Sequence, residues 1–209
     1  QEDLEKIPML ELSDIKREPA KDYNDVKSVD GIKIVHHNIF TNKIAYINMS
    51  FDTKCVPDEL IPYMGLLGST LSLMDTKNYT YPELTNEINI NCGGLATGTA
   101  LYSDKVDFSK NTIVYEVKSK ALYEKVPFVL GMMEEIMYNT RFDDYKRLKE
   151  IIARIKSRLE ASLMGQGHSI AMLECCAQFS ESAYYSDILR GYKYYEFIKK
   201  LDEEFEQNK

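Results

Sequence analysis

Residues 57 to 75 read Pro57-Asp58-Glu59-Leu60-Ile61-Pro62-Tyr63-Met64-Gly65-Leu66-Leu67-Gly68-Ser69-Thr70-Leu71-Ser72-Leu73-Met74-Asp75. Aliphatic residues on every turn predict a helix over residues 58–75. Asp58 and Glu59 stand at its N-terminal end, where the peptide dipoles favour negative charge. From Leu60 to Met74 it carries no imidazole, thiol or carboxylate; its only carboxylates lie at its two ends.

Upstream, residues 32–40 predict one strand and residues 44–52 a second, with Thr41-Asn42-Lys43 as a turn between them. That spacing implies an antiparallel hairpin. Ala45, Ile47, Met49 and Phe51 alternate with Ile44, Tyr46, Asn48 and Ser50, which suggests a central strand covered on both faces. Residues 1–28 are polar and irregular apart from Ile7, Leu10, Leu12 and Ile15. They read as a linker or arm, and residues 29–209 as the folded domain.

Downstream, Thr80-Tyr81-Pro82-Glu83 is a capping-box pattern that starts a helix at Tyr81, and Gly93-Gly94 stop it near Cys92. Residues 95–103 and 111–119 predict two more strands. In the second, Ile113, Tyr115 and Val117 alternate with Val114, Glu116 and Lys118, so one face should be wet. Leu122, Val126, Val129, Met133, Ile136 and Met137 form a helical stripe ending near Asn139. Asp143 is the expected cap of a further helix with Tyr145, Leu148, Ile152, Ile155 and Leu159 inward. Lys146, Arg147, Lys149, Arg154, Lys156 and Arg158 form its solvated face. Gly165-Gln166-Gly167 should break that helix, with others over about residues 168–180 and 191–206. The fold class is α+β, an antiparallel-rich sheet with helices packed on it.

With 209 residues the chain can bury a full core, and a net charge of −7 gives no basic footprint for nucleic acid. No apolar run reaches the roughly 18 residues of a membrane span. Gln1-Glu2-Asp3-Leu4-Glu5-Lys6 has neither the basic start nor the apolar core of a signal peptide, and the absence of an initiator Met suggests excision from a longer chain. Four cysteines without paired spacing suggest buried free thiols in a reducing compartment. Cys175-Cys176 would be strained as a disulfide.

The order of elements, with Leu10-Glu11-Leu12-Ser13-Asp14-Ile15, Leu60-Ile61-Pro62-Tyr63, Tyr81-Pro82-Glu83-Leu84, Gly93-Gly94-Leu95, Asn139-Thr140-Arg141-Phe142-Asp143-Asp144 and Gly167-His168-Ser169-Ile170-Ala171-Met172, resembles an insulinase-type (pitrilysin-like) zinc metallopeptidase of the presequence-protease branch. The resemblance implies two halves closing around a chamber for unfolded peptides, with zinc held by H-x-x-E-H on a helix of the first half. This chain is similar to the end of the inter-half linker plus the first domain of the second half. The metal positions then fall near Tyr63, Leu66 and Leu67, none of them a good zinc ligand.

The resemblance therefore implies a non-catalytic domain of a peptide-degrading metalloendopeptidase, inactive alone, with no cofactor in this fragment and zinc in the parent's other half. Its expected partners are the remaining domains and unfolded peptides; a fragment cut from such a shell should also self-associate. An extended peptide could pair along the strand after Gly93-Gly94, which makes Gly93, Gly94 and Leu95 the candidate substrate-binding residues. A metal-free assembly subunit of the same fold is the alternative. The bacterial cytoplasm is the expected location, or an organelle matrix in a eukaryote.

No other chemistry is encoded in a recognisable pattern. His36 and His37 are adjacent on a strand and project to opposite faces, one expected buried and one exposed. His168 should cap a helix start, and Glu134-Glu135 should be surface carboxylates. A Gly-x-Ser-x-Gly elbow is missing, and Gly93, Gly94 and Gly98 follow a helix and open a strand, the reverse of a phosphate-binding order.

Overall fold

A computed structural model describes residues 10–18, 24–107 and 109–205, so Ile7 and Glu206 lie outside the described residues. The chain divides into two compact units, Gln1–Asn42 and Lys43–Lys209.

Among the described residues the first unit holds a 3-10 turn, Leu12–Asp14, and a hairpin of β1 (Asn24–Val29) and β2 (Ile32–His37). Its antiparallel register runs from Asn24 opposite His37 to Val29 opposite Ile32. This corrects two expectations. The region read as an irregular arm contains a strand, and residues 32–37 pair with that strand rather than with residues 44–52. Asp30-Gly31 closes the hairpin: both adopt positive φ (51° and 82°), the two-residue turn whose twist matches the strands it joins. Both His36 and His37 are exposed.

The second unit is built on β3 (Ile44–Asp52), β4 (Leu95–Ser103) and β5 (Asn111–Leu122), in the order β3-β5-β4 with both pairings antiparallel. Residues 44–52 are thus an edge strand, not a central one, with Tyr46 68% exposed. The middle place goes to β5, whose Tyr115, Glu116 and Val117 are all buried.

α1 (Ile61–Thr70) continues a 3-10 turn, Asp58–Leu60, and leads into another, Leu71–Leu73. It stands between two apolar clusters. Met64 belongs with Tyr115 and Val117 of β5, Leu84 and Ile88 of α2 (Tyr81–Asn91), and Val129, Met133 and Ile136 of α3 (Val126–Asn139). Leu66 belongs with Ile151, Ile152 and Ile155 of α4 (Tyr145–Cys176), and with Tyr194 and Ile198 of α6 (Tyr192–Glu204). At Gly68 the helix meets β4 backbone to backbone: an added Cβ would lie 2.7 Å from the Gly98 Cα. The Thr97 hydroxyl donates to the Gly68 carbonyl at 3.0 Å, fastening the crossing.

Local signals were mostly obeyed. Glu83 reaches back to the Thr80 amide (2.9 Å) and hydroxyl (2.8 Å), and Asp75 Oδ1 accepts the Tyr81 amide at 2.7 Å, so α2 starts at the expected residue. The cap of α4, however, is Asp144, whose Oδ1 accepts the Arg147 amide at 2.9 Å; Asp143 instead pairs with Arg141. The helix begins at Tyr145, so the residue just before it takes the orphan amide.

Gly165-Gln166-Gly167 interrupt α4 as expected: Gln166 leaves helical geometry (φ −130°, ψ 30°), and two helical halves meet there at a kink. His168 lies exposed at the start of the second half, two residues beyond the kink. A further helix, α5 (Glu181–Arg190), occupies a stretch that no sequence signal had marked.

The basic face of α4 is only partly solvated. Arg147 Nε donates to the Leu73 carbonyl at 3.1 Å and its guanidinium lies 4.0 Å from the Tyr81 ring centroid, while Lys156 pairs with Asp202 of α6 at 2.8 Å. All four cysteines are free, but Cys55 and Cys175 are exposed rather than buried. Among the described residues no helix is long and apolar enough to cross a membrane.

Gly68→Ala places a methyl group against fixed backbone, so it should destabilise the protein by about 1–3 kcal/mol, the usual range for overpacking. Urea unfolding of the variant against the parent checks this, with Gly131→Ala as control, since an added Cβ there meets nothing within 4 Å.

Candidate functional site: an apolar groove on a metal-free helix

Tyr63, Leu66 and Leu67 share the α1 surface where the resemblance puts metal ligands, and the structure gives each an apolar setting. Leu66 is buried in the cluster with α4 and α6. Leu67 packs, half-buried, on the sheet-side cluster. The Tyr63 ring meets Phe197 edge to face, 4.7 Å between centroids, and remains 45% exposed. These residues do not fit zinc, because the surface offers one phenol and otherwise only hydrocarbon where thiolate, imidazole or carboxylate donors are required. Among the described residues no three His, Cys, Asp or Glu side chains gather as a metal site.

What α1 does line is an open groove of about 420 Å³. Leu60, Tyr63 and Leu67 form one wall, Leu148 and Ile152 of α4 another, and Leu201 and Phe205 a third, with Val56 and Phe142 at the margin. Leu60 and Phe142 are 46% and 41% exposed, so the groove reaches solvent. Helical spacing accounts for each wall: 60, 63 and 67, 148 and 152, and 201 and 205 each repeat within three or four residues. A concave surface of this composition holds aliphatic or aromatic side chains, not charged groups.

The candidate residues Gly93, Gly94 and Leu95 lie elsewhere, at the corner joining α2 to β4. The Gly93 amide donates to the Lys120 carbonyl at 2.7 Å, and the Gly94 carbonyl accepts the Ser119 hydroxyl at 2.7 Å. Gly94 has φ +116°, a conformation open to glycine at little cost. Leu95 packs half-buried on the sheet-side cluster. The three tie the sheet's end to the helix, and no strand pairs with the outer edge of β4 among the described residues.

Two carboxylates expected at the surface are in fact enclosed. Glu116, on the β5 face expected to be wet, accepts bonds from Asn48 Nδ2 (2.8 Å), Ser50 Oγ (3.2 Å) and the Tyr102 hydroxyl (2.8 Å), and pairs with Lys118. Burial opposes its charge, but the bonds from Asn48, Lys118 and Tyr102 outweigh burial and hold the carboxyl below its ordinary value. Glu135 follows the same logic, burial being outweighed by Thr76, Asn78 and Asn139. A carboxylate so saturated with donors is a poor proton acceptor, and both serve structure. The Cys92 thiol is pushed up by burial, which suits packing rather than attack.

The model of the peptidase M16 (subfamily C) associated family matches residues 1–201. The chain belongs to this family. Protein HypA of Clostridium perfringens is 37% identical over 97% of this chain and 21% of its own length. Presequence protease 1, chloroplastic/mitochondrial, of Arabidopsis thaliana is 30% identical over 96% of the chain and 19% of its own. The mitochondrial presequence protease of Yarrowia lipolytica is 29% identical over 99% and 21%. The chain thus spans about a fifth of the length of the curated relatives it matches. The branch inferred from the motifs is the family found, and the chain has the expected α+β architecture.

Glu116 and Glu135 are depressed in the folded protein, so the stability they contribute is complete above the ordinary value of 4.5 and is lost as pH falls through the lower folded values. Glu116→Gln should unfold more easily at pH 7 and show a shallower loss of stability below about pH 4.5. Denaturant midpoints measured from pH 7 to pH 3 provide the check; a parallel acid limb in the variant would contradict it.

Proposed function

We propose that this chain is a non-catalytic domain of a zinc metalloendopeptidase that degrades peptides. In this reading it forms part of the chamber wall and holds substrate opposite the part that carries zinc. One observation carries the reading: α1 has no metal donor along its length, yet its surface opens into an apolar groove. An unfolded peptide differs from a folded one in offering its apolar side chains freely. A groove lined by Leu60, Tyr63 and Leu67 would take such side chains with little regard for sequence.

The outer edge of β4, opening at Gly93-Gly94-Leu95, would add main-chain pairing for an extended segment. The partners are then the parent's remaining domains and flexible peptides. The bacterial cytoplasm remains the proposed location. The alternative of a metal-free assembly subunit is decided by the whole polypeptide, which on the peptidase reading must contain an H-x-x-E-H segment outside this chain.

Burying one apolar side chain is worth about 1.5–3 kcal/mol, so replacing a groove wall should weaken peptide capture by about ten-fold or more. Leu60→Asp and Phe142→Asp in the full-length polypeptide should raise KM for apolar unfolded peptides by about that factor, with kcat and zinc content unchanged. Unchanged KM in both variants would remove the groove from substrate binding. One zinc held tightly by this chain's own side chains would overturn the non-catalytic reading itself.

A further inference from the structure

α4 changes character along its length. Its first half carries Lys146, Arg147, Lys149, Glu150, Arg154, Lys156 and Arg158, and it alone supplies the helix's buried residues, Ile151, Ile152 and Ile155. From Leu159 to Ser180 the only Asp, Glu, Lys or Arg residues are Glu160 and Glu174, and α4 buries nothing there. One side of this second half, with Leu159, Leu163, Ile170 and Leu173, faces Arg190, Gly191 and Tyr195 across a small cavity. Exposed along this half are Met164 just before the bend, His168, Met172 and Cys175 beyond it at steps of four and three, and Phe179 in the turn that follows the helix. Met164 is 90% exposed, Met172 65% and Phe179 81%, and His168 and Cys175 are exposed as well.

A helix face meant for water carries charge, as the first half of α4 does; a contiguous apolar stripe marks a contact surface. We infer that this stripe is the seat of another domain of the same longer polypeptide, which covers it with an apolar face. The chain's share of its relatives' length supports that occupant, since about four-fifths of each relative lies outside the matched region. The chemistry supports it too. On a chain of net charge −7 the stripe contains neither Asp nor Glu, so it selects hydrocarbon rather than a basic partner. Ala161, Gly165 and Ala171, exposed beside the large residues, leave room for a neighbouring backbone to approach closely. This rests on the chain being part of a longer polypeptide, and not on the peptidase reading.

The test uses the full-length polypeptide at concentrations where it is monomeric. With Met172→Cys, modification at position 172 by a charged maleimide, read by peptide mass spectrometry, should be at least about ten-fold slower in the native protein than in guanidinium. Met172→Asp should lower the full-length melting temperature by roughly 2–4 °C or more, while the Tm of the 209-residue chain changes little. Native modification as fast as in guanidinium, or a full-length Tm indifferent to the Asp, would overturn the inference. Protection that appears only as concentration rises would overturn it in favour of a second copy. Neither readout depends on peptidase activity, so this surface and the groove can fail separately.

Discussion

The packing of α1 between two apolar clusters is the constraint on which the rest of the second unit depends. Met64 and Leu66 sit two positions apart and point into different clusters, one shared with the sheet, α2 and α3, the other with α4 and α6. Gly68 lets the helix lie on the β4 backbone, which brings both clusters within reach of so short an element. A charged side chain on either inward face would have to be desolvated without a partner, at a cost of several kcal/mol. The surface where the resemblance would place metal ligands is thus built here as a structural pin, with hydrocarbon spilling outward into a groove.

Polar burial complements this. Glu116 draws together Asn48 and Ser50 of β3, Tyr102 of β4 and Lys118 of β5, so one carboxylate ties the three strands on the face away from the sheet-side core. Glu135 does the same for the turn at Asn78 and the end of α3. Both are ionised groups whose donors are supplied by neighbours, the condition under which a buried charge is tolerated.

Local chemistry made much of the fold legible. Thr80 and Glu83 set the start of α2, Gly93-Gly94 its end, and the bounds of β4 agree with residues 95–103. Where two local signals competed, the reading failed: Asp30-Gly31 and Asn42-Lys43 both adopt positive φ at two adjacent residues, but only the former pair includes a glycine, which takes that conformation without a Cβ penalty, and it is the one that closes a hairpin. Edge and centre could not be told apart from alternation alone, since β3 has apolar residues on both sides yet lies at the margin. α5 was missed because its apolar residues are sparse and its buried Asp187 reads as surface. The groove was the least legible feature. Its walls come from segments near residues 60, 150 and 203, each of which reads alone as ordinary helix packing. The absence of ligands on α1 was plain in the sequence; the cavity beside them needed the tertiary arrangement.

The bend at Gln166 has a mechanical meaning. A straight rod of 32 residues would deliver any tug on its far end directly to Ile151, Ile152 and Ile155, the side chains that root it. Interrupted between two glycines, the helix is braced a second time beyond the bend, where Leu173 packs against Gly191, so a load there is shared before it reaches those three.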